Sequence, residues 1–72
     1  MSDIEQFKIE VAKYGDIQKF EQFHDGTEMV VRNKTGRQTT YTRLYETILS
    51  QNYNLVDSCF EPSYYKAYYS KK

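Results

Sequence analysis

The hydrophobic rhythm of the chain is clearest over residues 40–51. Tyr41, Leu44, Tyr45, Ile48 and Leu49 recur at i, i+3, i+4, i+7 and i+8, one stripe of an amphipathic helix. Thr39 or Thr40 can cap its start, and Asn52 can take the left-handed conformation that ends it. The pattern predicts a helix that buries Leu44, Tyr45 and Ile48. Leu55-Val56-Asp57-Ser58-Cys59-Phe60 then reads as a strand, and Glu61-Pro62-Ser63-Tyr64 as a turn with Pro at its second position. Residues 64–70 read as a closing strand, because Tyr favours strands and nothing breaks the run.

Residues 1–15 fit two periods. Ile4, Phe7, Val11 and Tyr14 share one helical face, Ser2 and Glu5 make a capping box, and Gly15 stands where a glycine would stop the helix. Phe7, Ile9 and Val11 also alternate with their neighbours as a half-buried strand does. The helix explains four apolar residues and both ends; the strand explains Ile9. Helix is the expectation over residues 3–14. Further on, residues 17–23 and 28–33 flank His24-Asp25-Gly26-Thr27, and Asp-Gly suits tight hairpin turns because both positions tolerate positive φ. Phe20 and Phe23 have opposite strand parity, which predicts a bulge between them or a short helix.

These elements make one domain over residues 1–72. The fold class is α+β: a small antiparallel sheet of about four strands with one or two helices packed on one face. A mean hydropathy of −0.85 is low for a folded chain, but 8 Tyr and 4 Phe supply enough ring area to offset chain entropy. A monomer of this size buries only about 60% of its unfolded surface. A homodimer is therefore expected, with the C-terminal strand pairing edge to edge with a second copy.

Charge adds a polarity. Residues 1–28 hold 3 lysines against 7 carboxylates and residues 29–72 hold 7 basic against 3 acidic side chains, so the halves carry −4 and +4. Between Val31 and Leu44 every charge is positive. Such asymmetry marks either a binding face or two halves that attract each other in the fold.

Catalytic chemistry is not legible. There is no Gly-rich phosphate loop, no paired Cys, no His-Glu-x-x-His and no nucleophile elbow. His24, Asp25 and Glu28 are near enough in sequence to weigh as metal ligands, and Cys59 with His24 as a nucleophile and base. A turn with two carboxylates is more often simply solvated, and a Cys in an apolar strand is more often core. No enzymatic activity, metal or cofactor is expected. No window reaches about 18 consecutive apolar residues, so no membrane helix is expected. The start Met1-Ser2-Asp3-Ile4-Glu5 lacks the features of a secretory signal, and Cys59 has no second Cys to pair with. A cytoplasmic setting is the expectation.

Two features point to a partner. The stretch from Arg32 to Arg43, with Lys34 and Arg37 in it, runs into a helix N-terminus and can hold phosphates. In the closing strand, Tyr64, Lys66 and Tyr68 point one way while Tyr65, Ala67 and Tyr69 point the other. One of these faces packs on the helix; the other offers tyrosine rings, which are enriched at binding surfaces. The residues expected to touch a partner are Tyr64, Tyr65, Lys66, Tyr68, Tyr69, Arg32, Lys34 and Arg37. The expected function is non-enzymatic protein–protein binding of the inhibitor or adaptor type, as in phage or mobile-element accessory proteins. The partner's identity is not legible. The alternative is a single-stranded nucleic-acid (RNA) binder that stacks bases on the Tyr/Lys strand and holds phosphates on the basic loop.

Overall fold

In the computed structural model, which describes residues 2–72, the helical period wins at the N-terminus: α1 spans Asp3–Ala12. The Ser2 hydroxyl accepts from the Glu5 N–H at 3.4 Å, and Ile4, Phe7 and Val11 are buried. Gly15 does not cap this helix; it opens β1 (Gly15–Gln22), where a Cβ would lie 2.7 Å from the Arg32 carbonyl oxygen of β2 (Gly26–Asn33). Glycine is there because two backbones pass too closely for a side chain.

The hairpin exists, with a different turn. Phe23 and Gly26 exchange both backbone hydrogen bonds, so His24 and Asp25 form the turn and Gly26 is already in the strand. No described residue has positive φ. The irregularity falls at Gln18, between Ile17 and Lys19, rather than between Phe20 and Phe23.

The predicted helix over residues 40–51 is two pieces. It starts at Gln38 as α2 (Gln38–Leu44) and widens into a π-helical turn over Tyr45–Leu49, with the Ser50 N–H bonded to the Tyr45 carbonyl at 2.9 Å. The wider turn shifts the phase of the stripe. Tyr41 and Leu49 are fully buried, while Leu44, Tyr45 and Ile48 are half-buried against the core. After it come β3 (Tyr53–Phe60), bulged at Val56, and β4 (Tyr64–Lys71).

The strands form one antiparallel sheet in the order β1-β2-β4-β3, with the two helices packed on one face, the expected α+β arrangement. β2 and β3 run parallel with β4 between them, and parallel strands need the long crossover that the helical segment provides. The position of β4 corrects one expectation: the C-terminal strand is interior, so it has no free edge to offer a second copy.

The core lies between sheet and helices, and it is built from rings. Thr27, Met29 and Val31 of β2 and Tyr65, Ala67 and Tyr69 of β4 form its floor. Tyr41 stacks on Tyr65 at 4.3 Å, Tyr45 on Tyr69 at 5.6 Å, and Phe7 meets Tyr69 edge-on at 5.2 Å. Ala67 leaves room for the two rings beside it to lean together, and the Tyr65 and Tyr69 hydroxyls meet at 3.0 Å.

Candidate functional site on the open sheet face

Because both helices lie on one side, the other face of the sheet has no cover. Strand alternation assigns its residues. Burial of Thr27, Met29 and Val31 turns Glu28, Val30 and Arg32 outwards, and burial of Tyr65, Ala67 and Tyr69 does the same for Tyr64, Lys66 and Tyr68. Registry sets them in three rows. Glu21, Glu28, Tyr68 and Asp57 stand side by side, then Lys19, Val30, Lys66 and Cys59, then Asp16, Arg32 and Tyr64.

The eight sequence-predicted contact residues therefore separate into three groups. Tyr64, Lys66, Tyr68 and Arg32 come together on the open face, with Tyr64 40% exposed. Tyr65 and Tyr69 are buried under the helices and form core, not a contact surface, because their parity places them on the packed side. Lys34 and Arg37 sit in the loop between β2 and α2. Lys34 pairs with Asp16 at 3.0 Å, with both side chains exposed, and Arg37 is the residue just before α2, at its N-cap.

That loop is held in shape by neutral groups. The Tyr14 carbonyl accepts from the N–H groups of Lys34, Thr35 and Gly36 at 3.1, 3.0 and 3.3 Å. Tyr41 Oη donates to Asn33 Oδ1 at 2.7 Å, and Gly36 lies so close that a Cβ would sit 2.6 Å from the same hydroxyl. Its backbone donors face inwards to Tyr14 and are not offered to a phosphate.

On the open face, Lys66 and the two rings border a shallow groove of about 410 Å³, lined also by Glu28, Asp57 and Cys59. Tyr68 Oη donates to Asp25 Oδ1 at 2.9 Å, and this bond holds the phenol above its ordinary pKa. Lys19 Nζ meets Glu28 Oε1 at 2.6 Å; the contact lowers the Glu28 carboxyl pKa and raises that of the Lys19 ammonium. Asp25 and Glu28, weighed above as metal ligands with His24, are committed to these partners. Among the described residues no three His, Cys, Asp or Glu side chains gather to hold an ion. Cys59 is exposed beside Lys66 in the middle of the sheet, not core, whereas His24 lies in the turn beyond the Gly26–Ser70 pair.

The charge of the face was hidden in the sequence. Lys19, Arg32 and Lys66 stand among Asp16, Glu21, Glu28 and Asp57, so three cations face four carboxylates. Val30, which the sequence pattern did not single out, also sits on this face, between Lys19 and Lys66. Compared with known protein families, curated proteins and solved structures, the chain matches none. Among the described residues no helix is long and apolar enough to cross a membrane.

Proposed function

We propose that this chain is a non-enzymatic protein-binding module, an inhibitor or adaptor, that holds its partner on the open sheet face through Tyr64, Lys66 and Tyr68 of β4 and Arg32 of β2. One observation carries the reading: two tyrosines and a lysine stand in the middle of an uncovered sheet among charges of both signs. Tyrosine gives large contact area at little rotamer entropy, and mixed charge selects a complementary protein surface rather than a uniform polyanion. By analogy, phage and mobile-element accessory proteins supply small binders of this kind. A cytoplasmic setting agrees with a chain whose one cysteine carries no disulfide.

A second reading has an observation of its own. Rings on a central strand, with Lys66 between them and Arg32 beside Tyr64, make a platform on which single-stranded bases can stack. Against it stand the four carboxylates in the same rows, since phosphate binders carry a positive field across the site.

Affinity capture from the native host, with nuclease-treated and untreated lysate in parallel, separates the two. Under the protein reading the captured partner survives nuclease. Its affinity for the Tyr64→Ser/Tyr68→Ser variant drops by a factor of about 30 for each ring removed, as buried aromatic anchors are worth roughly 2 kcal/mol each. Loss of capture on nuclease treatment, or binding of a labelled oligonucleotide that falls steeply between about 50 and 200 mM salt, would overturn it in favour of nucleic acid.

A further inference from the structure

The sheet has two edges, and they differ. Along β3 the first half of the edge is taken up: Tyr45 Oη donates to the Tyr53 carbonyl at 3.0 Å and accepts from the Leu55 N–H at 3.1 Å, and the register breaks at Val56. Such devices keep another strand from adding. Along β1 the register also breaks, at Gln18, but past that break the edge is open from Lys19 to Gln22. Phe23 and Gly26 exchange bonds at 2.7 and 3.4 Å, and alternation along an antiparallel pair then makes Glu21 and Lys19 the residues bonded to β2. The N–H and C=O of Phe20 and Gln22 are thereby turned outwards. On the helix side the same edge borders a groove of about 490 Å³ between α1 and β1, walled by Ile9, Ala12, Ile17 and Phe20 and rimmed by Glu5, Lys8 and Gln22, with Ile9 48% exposed.

We propose that this edge binds a second copy of the chain, β1 pairing antiparallel with β1 about a two-fold axis at Phe20. The register follows from charge and parity. If the helices of both copies stay on one side of a continuous sheet, residues of the same face must stand opposite each other, so the axis passes through a residue of β1. An axis at Lys19 or Glu21 sets like charges directly opposite, which is unfavourable. An axis at Gln22 leaves little strand to pair. At Phe20, Lys19 of each copy faces Glu21 of the other on the open side, and the outward N–H and C=O of Phe20 bond to those of Phe20 in the second copy. Glu21 has no salt bridge among the described residues, and Lys19, paired with Glu28 of its own copy at 2.6 Å, would be shared between Glu28 and the second copy's Glu21. The apolar walls of the two grooves then meet on the helix side, removing Ile9, Ala12 and the Phe20 edge from water while Glu5 and Lys8 stay at the rim. The open-face tyrosines stay free, so this contact and the proposed function stand or fall separately.

Sedimentation of the full chain at micromolar concentration is the test, and wild type should run at twice 8.6 kDa. Glu21→Lys and Lys19→Glu, each alone, turn both cross-edge pairs into like charges and should raise the dissociation constant about tenfold or more. Mixing the two variants makes every cross-edge pair opposite again, so a mixed dimer should return. Ile9→Gln on α1 should weaken the dimer through the groove while leaving the β1 charges intact. Both charged side chains are exposed, and circular dichroism checks that each variant folds. A wild type that stays at 8.6 kDa overturns the proposal, and so does a dimer that survives all three substitutions or a mixture that remains monomeric.

Discussion

At the scale of single residues, the molecule relies on hydroxyl-bearing rings where larger proteins use aliphatic side chains. Tyr65 and Tyr69 are both buried, and each hydroxyl has the other as its partner at 3.0 Å. Such a pair stabilises little over two apolar groups, but half of it is costly, because the remaining hydroxyl loses water and gains nothing. Tyr69→Phe should therefore cost about 1–3 kcal/mol, and Tyr65→Phe a similar amount. The double substitution should cost clearly less than their sum. Chemical denaturation of the four proteins completes the cycle; additive costs would show that the hydroxyls do not depend on each other.

At the scale of elements, the π-helical turn decides which side chain of the central stripe is core. A regular helix puts Ile48 and Leu44 inwards, whereas the wider turn over Tyr45–Leu49 brings Leu49 to full burial and leaves Ile48 half-buried. Leu49→Ala should cost about 2–5 kcal/mol, the range for a core leucine, and Ile48→Ala distinctly less. Equal costs would mean that the stripe runs as a regular helix in solution. The same shift lets the Tyr45 hydroxyl bond both Tyr53 and Leu55 across the edge of β3. What could be read beforehand follows from this case. Elements whose cause is local were legible: α1 from its capping serine and i, i+3, i+7 spacing, β4 from its tyrosine run, and the turn at Pro62. Features set by distant residues were not. The π turn packs on α1 and β3 and sets Tyr45 on Tyr69 of β4, Gly15 answers to the backbone of β2, and the interior place of β4 to a crossover that periodicity cannot reveal. The candidate site was half legible for the same reason. Alternation divided Tyr64, Lys66 and Tyr68 from Tyr65 and Tyr69, but only strand order shows that Arg32 joins the first set and that Asp57, Glu28 and Glu21 dilute its charge.

At the scale of the whole molecule, a core made of phenols ties stability to alkaline pH. Burial raises the pKa of Tyr41, Tyr65 and Tyr69 above the ordinary value of 10.0. The folded protein thus keeps phenol protons that the unfolded chain releases. With more protons bound in the native state, stability is constant below about pH 10 and falls as pH rises beyond it. The three rings should ionise only as the protein unfolds, so phenolate absorbance should rise together with the loss of circular dichroism. Exposed lysine–carboxylate pairs, Lys13–Glu10 and Lys19–Glu28, also weaken at high pH, but salt screens them, and the experiment belongs at high ionic strength. Substituting two of the three phenols isolates the effect. Tyr65→Phe/Tyr69→Phe cannot ionise at those positions, so its melting temperature should decline more shallowly above about pH 10 than that of the wild type. Tyr64 and Tyr68 remain in both proteins and cancel in the comparison. Parallel declines would mean that the buried hydroxyls do not govern alkaline unfolding.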